Sequence, residues 1–299
     1  ETFNFTKDFI LKAALVLGDI GTIAFKVSNF NRENMGRIEE KWGAIRDALT
    51  ITVKLVSSWG FNRDTLTSAN AIIPLAYSIN KQGNPGNFVV SPQHEDCRDS
   101  MRRWLIRALL KQTFSGQSDT VLSEVRAVLM STDGAFPEQA IYERLKGSSK
   151  SMNLDADQID NMLDLQYGKP GTFTVLSLLY PWLKFDQHFH MDHIFPRSMF
   201  TEKRMRDKGI PEDEWPRWLD HKDDLGNIQL LQGPVNQNKS DKEFEAWLRE
   251  KHSEPTDLQI YRKEHFIPDV DLAFENYPAF LEARTQIVKD RIEQLLGVR

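Results

Sequence analysis

"HFHMDHIFPRS", residues 188–198, holds three of the chain's seven histidines within six positions, with Asp192 directly before the last of them and Pro196 three residues beyond it. The stretch reads as a short strand, and "NIQLL" (227–231) reads as a second one. Between them lies a charged, Trp-rich insertion at 202–224. After the second strand the chain continues as "GPVNQNKSDKEFEAWL", where Asn236 and Lys239 open a helix. The order strand, loop, strand, helix brings a carboxylate, an imidazole and an amide oxygen to one place.

Upstream of Phe185 the signals are helical. From Asn31 to Trp59 the apolar residues Ile38, Trp42, Ile45, Leu49, Val53 and Val56 recur at steps of three and four, which predicts one buried stripe on a long helix. Asn31 is its N-cap and Gly60 its stop. Further helices are expected over 6–19, 68–83 (with Pro74 at a kink or turn), 95–114, 119–131, 137–146, 155–166 and 172–183. Past the second strand a helix is expected over 241–252, then a Pro-containing loop, then a helix over 276–298. The fold class is therefore mainly α: a helical domain at 1–183, then a small α+β domain at 184–299 with a helical insertion at 202–224.

The 299 residues carry a net charge of −5, so the whole chain is no generic polyanion binder and a nucleic-acid role needs a local basic patch. Arg103, Arg107 and Lys111 recur at four-residue steps, a stripe that either follows a phosphate backbone or is a solvated helix face. Arg197, just past the first strand, is better placed to meet a phosphate. A single cysteine, Cys97, excludes an internal disulfide framework and a multi-cysteine zinc site, and it suits a reducing cytoplasm. No apolar run reaches the roughly 18 residues of a membrane span. The start "ETFNFTKDF" has neither an initiator Met nor a signal-like core, so the chain is expected to be a piece of something longer. His188 reads as exposed at the strand start, and His221, His252 and His265 read as surface residues. Trp215, Trp218 and Trp247 read as packing residues.

The residue types after Phe185 suit metal-assisted phosphodiester hydrolysis. Hard oxygen donors such as Asp192 and the Asn236 side-chain carbonyl prefer Mg²⁺ or Mn²⁺ with several retained waters. A neutral histidine, with an ordinary pKa of about 6.5, takes a proton from an attacking water at neutral pH. Lys239 would neutralise phosphate charge.

"DHIFP", then "GNIQLL", then Asn236 nine residues after Asn227, with Lys239 three further on, resembles the HNH (ββα-metal) nuclease motif. The resemblance implies Asp192 and Asn236 as metal ligands and His193 as general base. It implies Asn227 as the middle residue whose side chain ties the loop and orients that base. His190 takes a supporting metal or phosphate role. The stretches "FNRENMGRIEEKWGAIRDAL", "WGFNRDTLTSANAIIPLAY" and "RRWLIRALLKQTFSGQSDTVL" resemble the helical region before the HNH domain in GmrSD-type proteins, whose layout SspE nucleases share. These are modification-dependent restriction and anti-phage enzymes in which a ParB-like nucleotidase domain comes first. The implied function is a cytoplasmic, metal-dependent DNA endonuclease leaving 5′-phosphate and 3′-hydroxyl ends, with homo-oligomers among its expected assemblies. The alternatives are a DNA-binding or regulatory helical module with an idle nuclease fold, and an RNA-cleaving toxin.

The chain departs from the compact motif in one respect: more than thirty residues separate His193 from Asn227, so the insertion should form a helical excursion. Strand alternation also sends Asp192 and His193 to opposite faces, which calls for a bulge or bend to bring both to one metal.

Overall fold

The computed structural model describes residues 3–183 and 189–298; Phe185 and His188 lie outside the described residues. By packing, the chain divides into Glu1–Asn153 and Leu154–Arg299. Residues 154–183, grouped by sequence with the helical region, thus pack with the C-terminal unit.

The N-terminal unit is helical: α1 (Lys7–Leu17), α2 (Arg32–Ser58), α3 (Ile73–Lys81), α4 (Glu95–Leu110), α5 (Ser118–Ser131) and α6 (Glu138–Leu145). Asn31 caps α2 as expected, its Oδ1 accepting the Asn34 N–H at 3.0 Å. The buried stripe of α2 runs through Ile38, Ile45, Leu49, Thr52 and Val56. Trp42 is 42% exposed and Val53 only half-buried, against expectation. At about 100° per residue both fall on one flank of the stripe, while Ala48 and Leu55 fill the other. Pro74 sits in the first turn of α3, where its missing N–H costs no helix bond.

The C-terminal unit begins with α7 (Ala156–Leu163) and α8 (Thr172–Leu179). A capping box between Asp155 and Gln158 starts α7. Two strands follow, β1 (Phe189–His193) and β2 (Ile228–Gln232), paired antiparallel with His190 opposite Leu231, Asp192 opposite Gln229 and His193 opposite Ile228. The insertion between them is the expected helical excursion, α9 (Glu202–Asp207) and α10 (Trp215–His221). Immediately after β2 comes α11 (Gly233–Lys239), which packs on both strands. Next are α12 (Phe244–Lys251), α13 (Pro255–Glu264) and α14 (Tyr277–Leu296). The segment expected as a Pro-containing loop is thus largely helical, with Pro255 again in a first turn.

An aromatic core holds this unit together. Phe195, two residues past the end of β1, is 2% exposed and meets Phe280 at 4.9 Å and Tyr277 at 5.4 Å, edge to face. Trp215, Trp218 and Trp247 are buried in the same cluster, as read from sequence. His265 departs from its surface reading: it stacks on Tyr261 at 4.2 Å with Nδ1 sealed and unpartnered. Burial pulls its pKa down to about 3. His252 also lies against Tyr261, at 4.6 Å, with Nε2 sealed. Gly226 allows a close approach to α14: a Cβ there would stand 2.5 Å from Thr285 Oγ1 and 2.7 Å from a Leu281 methyl, so those side chains would have to shift. Among the described residues no helix is long and apolar enough to cross a membrane.

Candidate active site

The strand register is unbroken from Phe189 to His193, so no bulge rotates one side chain onto the face of the other. Asp192 and His193 leave β1 on opposite faces and acquire separate surroundings.

Asp192 looks across the sheet. Gln229, directly opposite, donates from Nε2 to Asp192 Oδ2 at 3.0 Å, and the Gln229 Oε1 accepts from Tyr261 Oη at 2.8 Å. The Lys239 ammonium reaches down from the end of α11 to both Asp192 oxygens, at 3.0 and 3.3 Å, and to the His193 carbonyl at 2.5 Å. Lys239 is fully buried, and burial lowers its pKa while Asp192 holds it up. A buried pair of this kind persists because each charge is met by the other and by further hydrogen bonds. The ammonium expected to face phosphate is therefore spent on holding Asp192.

His193 faces the insertion. Its Nε2 lies 2.8 Å from Asp223 Oδ1. A carboxylate only accepts, so the neutral ring carries its proton on Nε2 and presents a bare lone pair at Nδ1. Nδ1 makes no hydrogen bond among the described residues and is not sealed from solvent. Tyr167 covers the ring at 4.6 Å, and its N–H donates to the Asp223 carbonyl at 2.7 Å. Burial lowers the His193 pKa below its ordinary value, against the opposing pull of Asp223. At neutral pH the ring is thus uncharged and able to accept a proton.

Asn227 is completely buried and closes the turn after His193. Its Oδ1 accepts the Phe195 N–H at 2.9 Å, and its Nδ2 donates to Phe195 O at 3.1 Å and Lys222 O at 2.8 Å. One amide thereby ties the chain just after His193 to the chain just before Asp223. Ile194 N donates to Asn227 O at 2.8 Å, extending the ladder one residue past the strand.

Asn236 lies one turn before Lys239 on α11, half-buried, and its side-chain amide makes no hydrogen bond among the described residues. Residues three apart on a helix are neighbours on its surface, so Asn236 belongs to the face whose Lys239 touches Asp192. His190, exposed, is two residues before Asp192 and shares its side of β1. No group of three or more His, Cys, Asp or Glu side chains converges among the described residues. That excludes an all-protein cage of such ligands there. A carboxylate, an amide oxygen and one imidazole fit a hard ion that keeps most of its waters.

Arg197 is 55% exposed at its side chain and pairs with Asp223, Nε to Oδ1, at 3.2 Å. Arg103 and Arg107 belong to α4 in the N-terminal unit. Arg103 donates to Glu138 at 3.1 Å through Nε and to Ser100 at 3.0 Å, and Arg107 lies 4.9 Å from the Tyr142 ring.

Sequence reasoning missed Asp223, Gln229 and Tyr167. Asp223 sits in "HKDD" (221–224), where composition does not separate it from its neighbour Asp224, which accepts instead from His221 Nδ1 at 2.6 Å. Gln229 was detectable: a polar residue in the middle of an apolar strand, opposite an aspartate.

Residues 173–277, about a third of the chain, match the family model for the C-terminal domain of GmrSD restriction endonucleases. The segment contains every residue just described around Asp192 and His193 except Tyr167, and it stops at the first residue of α14. No curated protein matches the chain.

Proposed function

We propose that the C-terminal unit is an HNH-type endonuclease that hydrolyses DNA phosphodiesters with one bound Mg²⁺ or Mn²⁺, within a restriction, anti-phage system. The observation that carries this reading is the pair of adjacent residues with divided surroundings. Asp192 is presented by Gln229 and Lys239, and His193 offers a bare Nδ1 because Asp223 holds Nε2. The similarity to a restriction-endonuclease domain over 173–277 supports the substrate class.

In this reading His193 Nδ1 takes a proton from water as the water oxygen bonds to phosphorus. The bond from phosphorus to the 3′ oxygen breaks, leaving a 5′-phosphate and, after protonation, a 3′-hydroxyl. Asp223 stabilises the imidazolium that forms, through the bond it already makes to Nε2. Asp192 and Asn236, with His190 in support, would hold the ion, whose positive charge would stabilise the charge that develops on the phosphate in the transition state. Asn227 keeps the His193 turn and the Asp223 turn in register. Arg197 meets the scissile phosphate: an exposed ion pair contributes only about 0–1 kcal/mol, so a phosphate readily recruits its guanidinium. Lys239 acts on substrate only through Asp192. A ParB-like nucleotidase domain, as in GmrSD-type proteins, would be the partner.

Supercoiled plasmid and a structured RNA, incubated in parallel with the chain and Mg²⁺ or Mn²⁺, test the reading. Nicked plasmid with ligatable 5′-phosphate ends, abolished by chelation, is expected. Cleavage confined to the RNA would replace the substrate, and chelator-resistant cutting would remove the ion.

A further inference from the structure

The longest helix of the C-terminal unit carries a buried cation that the proposed reaction does not use. Arg284, in the middle of α14, is completely buried, and no carboxylate pairs with it among the described residues. Its guanidinium donates to main-chain carbonyls instead: to Gly226 O at 2.8 Å, to Leu225 O at 3.3 Å, and to His265 O at 3.2 and 3.3 Å. Burying a guanidinium without an anion is costly. Its planar fork offsets that cost by reaching three main-chain carbonyls at once.

Helix α14 holds the chain on either side of Asp223. Tyr277, at the start of α14, donates from Oη to His221 O at 2.7 Å, two residues before Asp223. Arg284 takes the carbonyls two and three residues after it. At the end of this segment Gly226 lies so close to Leu281 and Thr285 that a side chain there would force theirs to move. Positions 277, 281, 284 and 285 form one face of a helix. That face meets residues 221–226, which run directly into Asn227, while Arg284 also holds the His265 carbonyl and Tyr277 also packs on Phe195.

We propose that Arg284 is a positioning residue of the nuclease site, fixing the segment that carries Asp223 and Asn227 and, through them, the His193 ring. This rests on the nuclease reading above, and it places in the machinery a helix that lies almost wholly beyond the matched segment. Small displacements of a catalytic group are expensive, about 10²-fold for 1 Å.

The test uses the 299-residue chain carrying Arg284→Lys, Arg284→Met or Tyr277→Phe, each checked for folding by thermal melting. Plasmid nicking is followed at saturating DNA, and the His193 ring nitrogens are observed by ¹⁵N NMR. Folded Arg284→Lys and Tyr277→Phe should lose about 10- to 100-fold in kcat with KM nearly unchanged. Lys should retain more activity than Met, and the Nε2–H signal of His193 should weaken in the same order. If Arg284→Met does not fold, the other two variants decide. Wild-type kcat and an unchanged His193 signal in those two would overturn the proposal, as would a rate loss that only follows the loss of folded protein. If the wild-type chain cuts nothing, the nuclease reading fails. The NMR arm still decides whether Arg284 positions His193.

Discussion

His193 Nε2 and Asp223 Oδ1 stand 2.8 Å apart across thirty residues of sequence, and that bond decides which nitrogen of the ring is free. With Nε2 protonated, Nδ1 is the only atom of His193 that can take a proton.

Asp223→Asn removes the anion that opposes burial at His193. The rate should fall by about 10²-fold or more, as when a triad aspartate becomes an amide and tautomer control is lost. The pH dependence gives the sign. Activity needs the neutral ring, whose pKa already lies below the ordinary 6.5, so the rate falls only as pH drops through that lowered value. Asp223 raises this pKa, so the variant's acid limb should move to still lower pH. An acid limb moving upward would show that Asp223 does not act on His193 in this way.

Asn227→Ala strands the Phe195 N–H and the Phe195 and Lys222 carbonyls inside the protein. Each buried group left without a partner costs about 1–3 kcal/mol, so urea unfolding should shift strongly and nicking should be lost with it. A midpoint at the wild-type value would mean that the turn closes without the amide.

Lys239→Met should destabilise the C-terminal unit by about 3–5 kcal/mol, because the Asp192 carboxylate stays buried without its cation. Restoring neutrality with Asp192→Asn in the same chain should recover much of the loss. Equal stability of Lys239→Met and wild type in urea would show the ion pair to be dispensable.

His265 makes stability depend on acidity. Its folded pKa of about 3 lies below the 6.5 of the free side chain, so between these values the unfolded chain binds the extra proton. Its contribution is complete above pH 6.5 and is lost as pH falls toward 3, by at most about 1.4 kcal/mol per pH unit. His265→Phe, which keeps an aromatic ring beside Tyr261, should flatten the fall in urea midpoint between pH 7 and pH 4.5. An unchanged slope would assign the acid sensitivity to other groups.

The parts of the fold set by local spacing were legible in the sequence. Asn31, the periodic stripe of α2 and both strands follow from caps, periodicity and β-type runs, while the helical excursion at 202–224 follows from the long gap between His193 and Asn227. Trp42 was misread because four-residue spacing does not tell the centre of a stripe from its flank. Residues 255–264 were misread because Pro255 punctuates a loop and opens a helix equally well. Within the site, Asp192, His193, Asn227, Asn236 and Lys239 stood out by order and spacing. Asp223 did not, because its partner is set by how the excursion returns to β2. The burial of Lys239 was hidden for a similar reason: a lysine three residues after Asn236 looks solvent-facing until α11 is laid on the strands.

Plasmid nicking by the wild-type chain and by His193→Ala, side by side in Mg²⁺ and in Mn²⁺, reads out whether His193 is the base of an ion-dependent cut. The wild type should nick only with the ion present, and the variant should nick about 10²- to 10⁴-fold more slowly with the same melting curve. A folded His193→Ala protein that nicks at the wild-type rate would contradict that role.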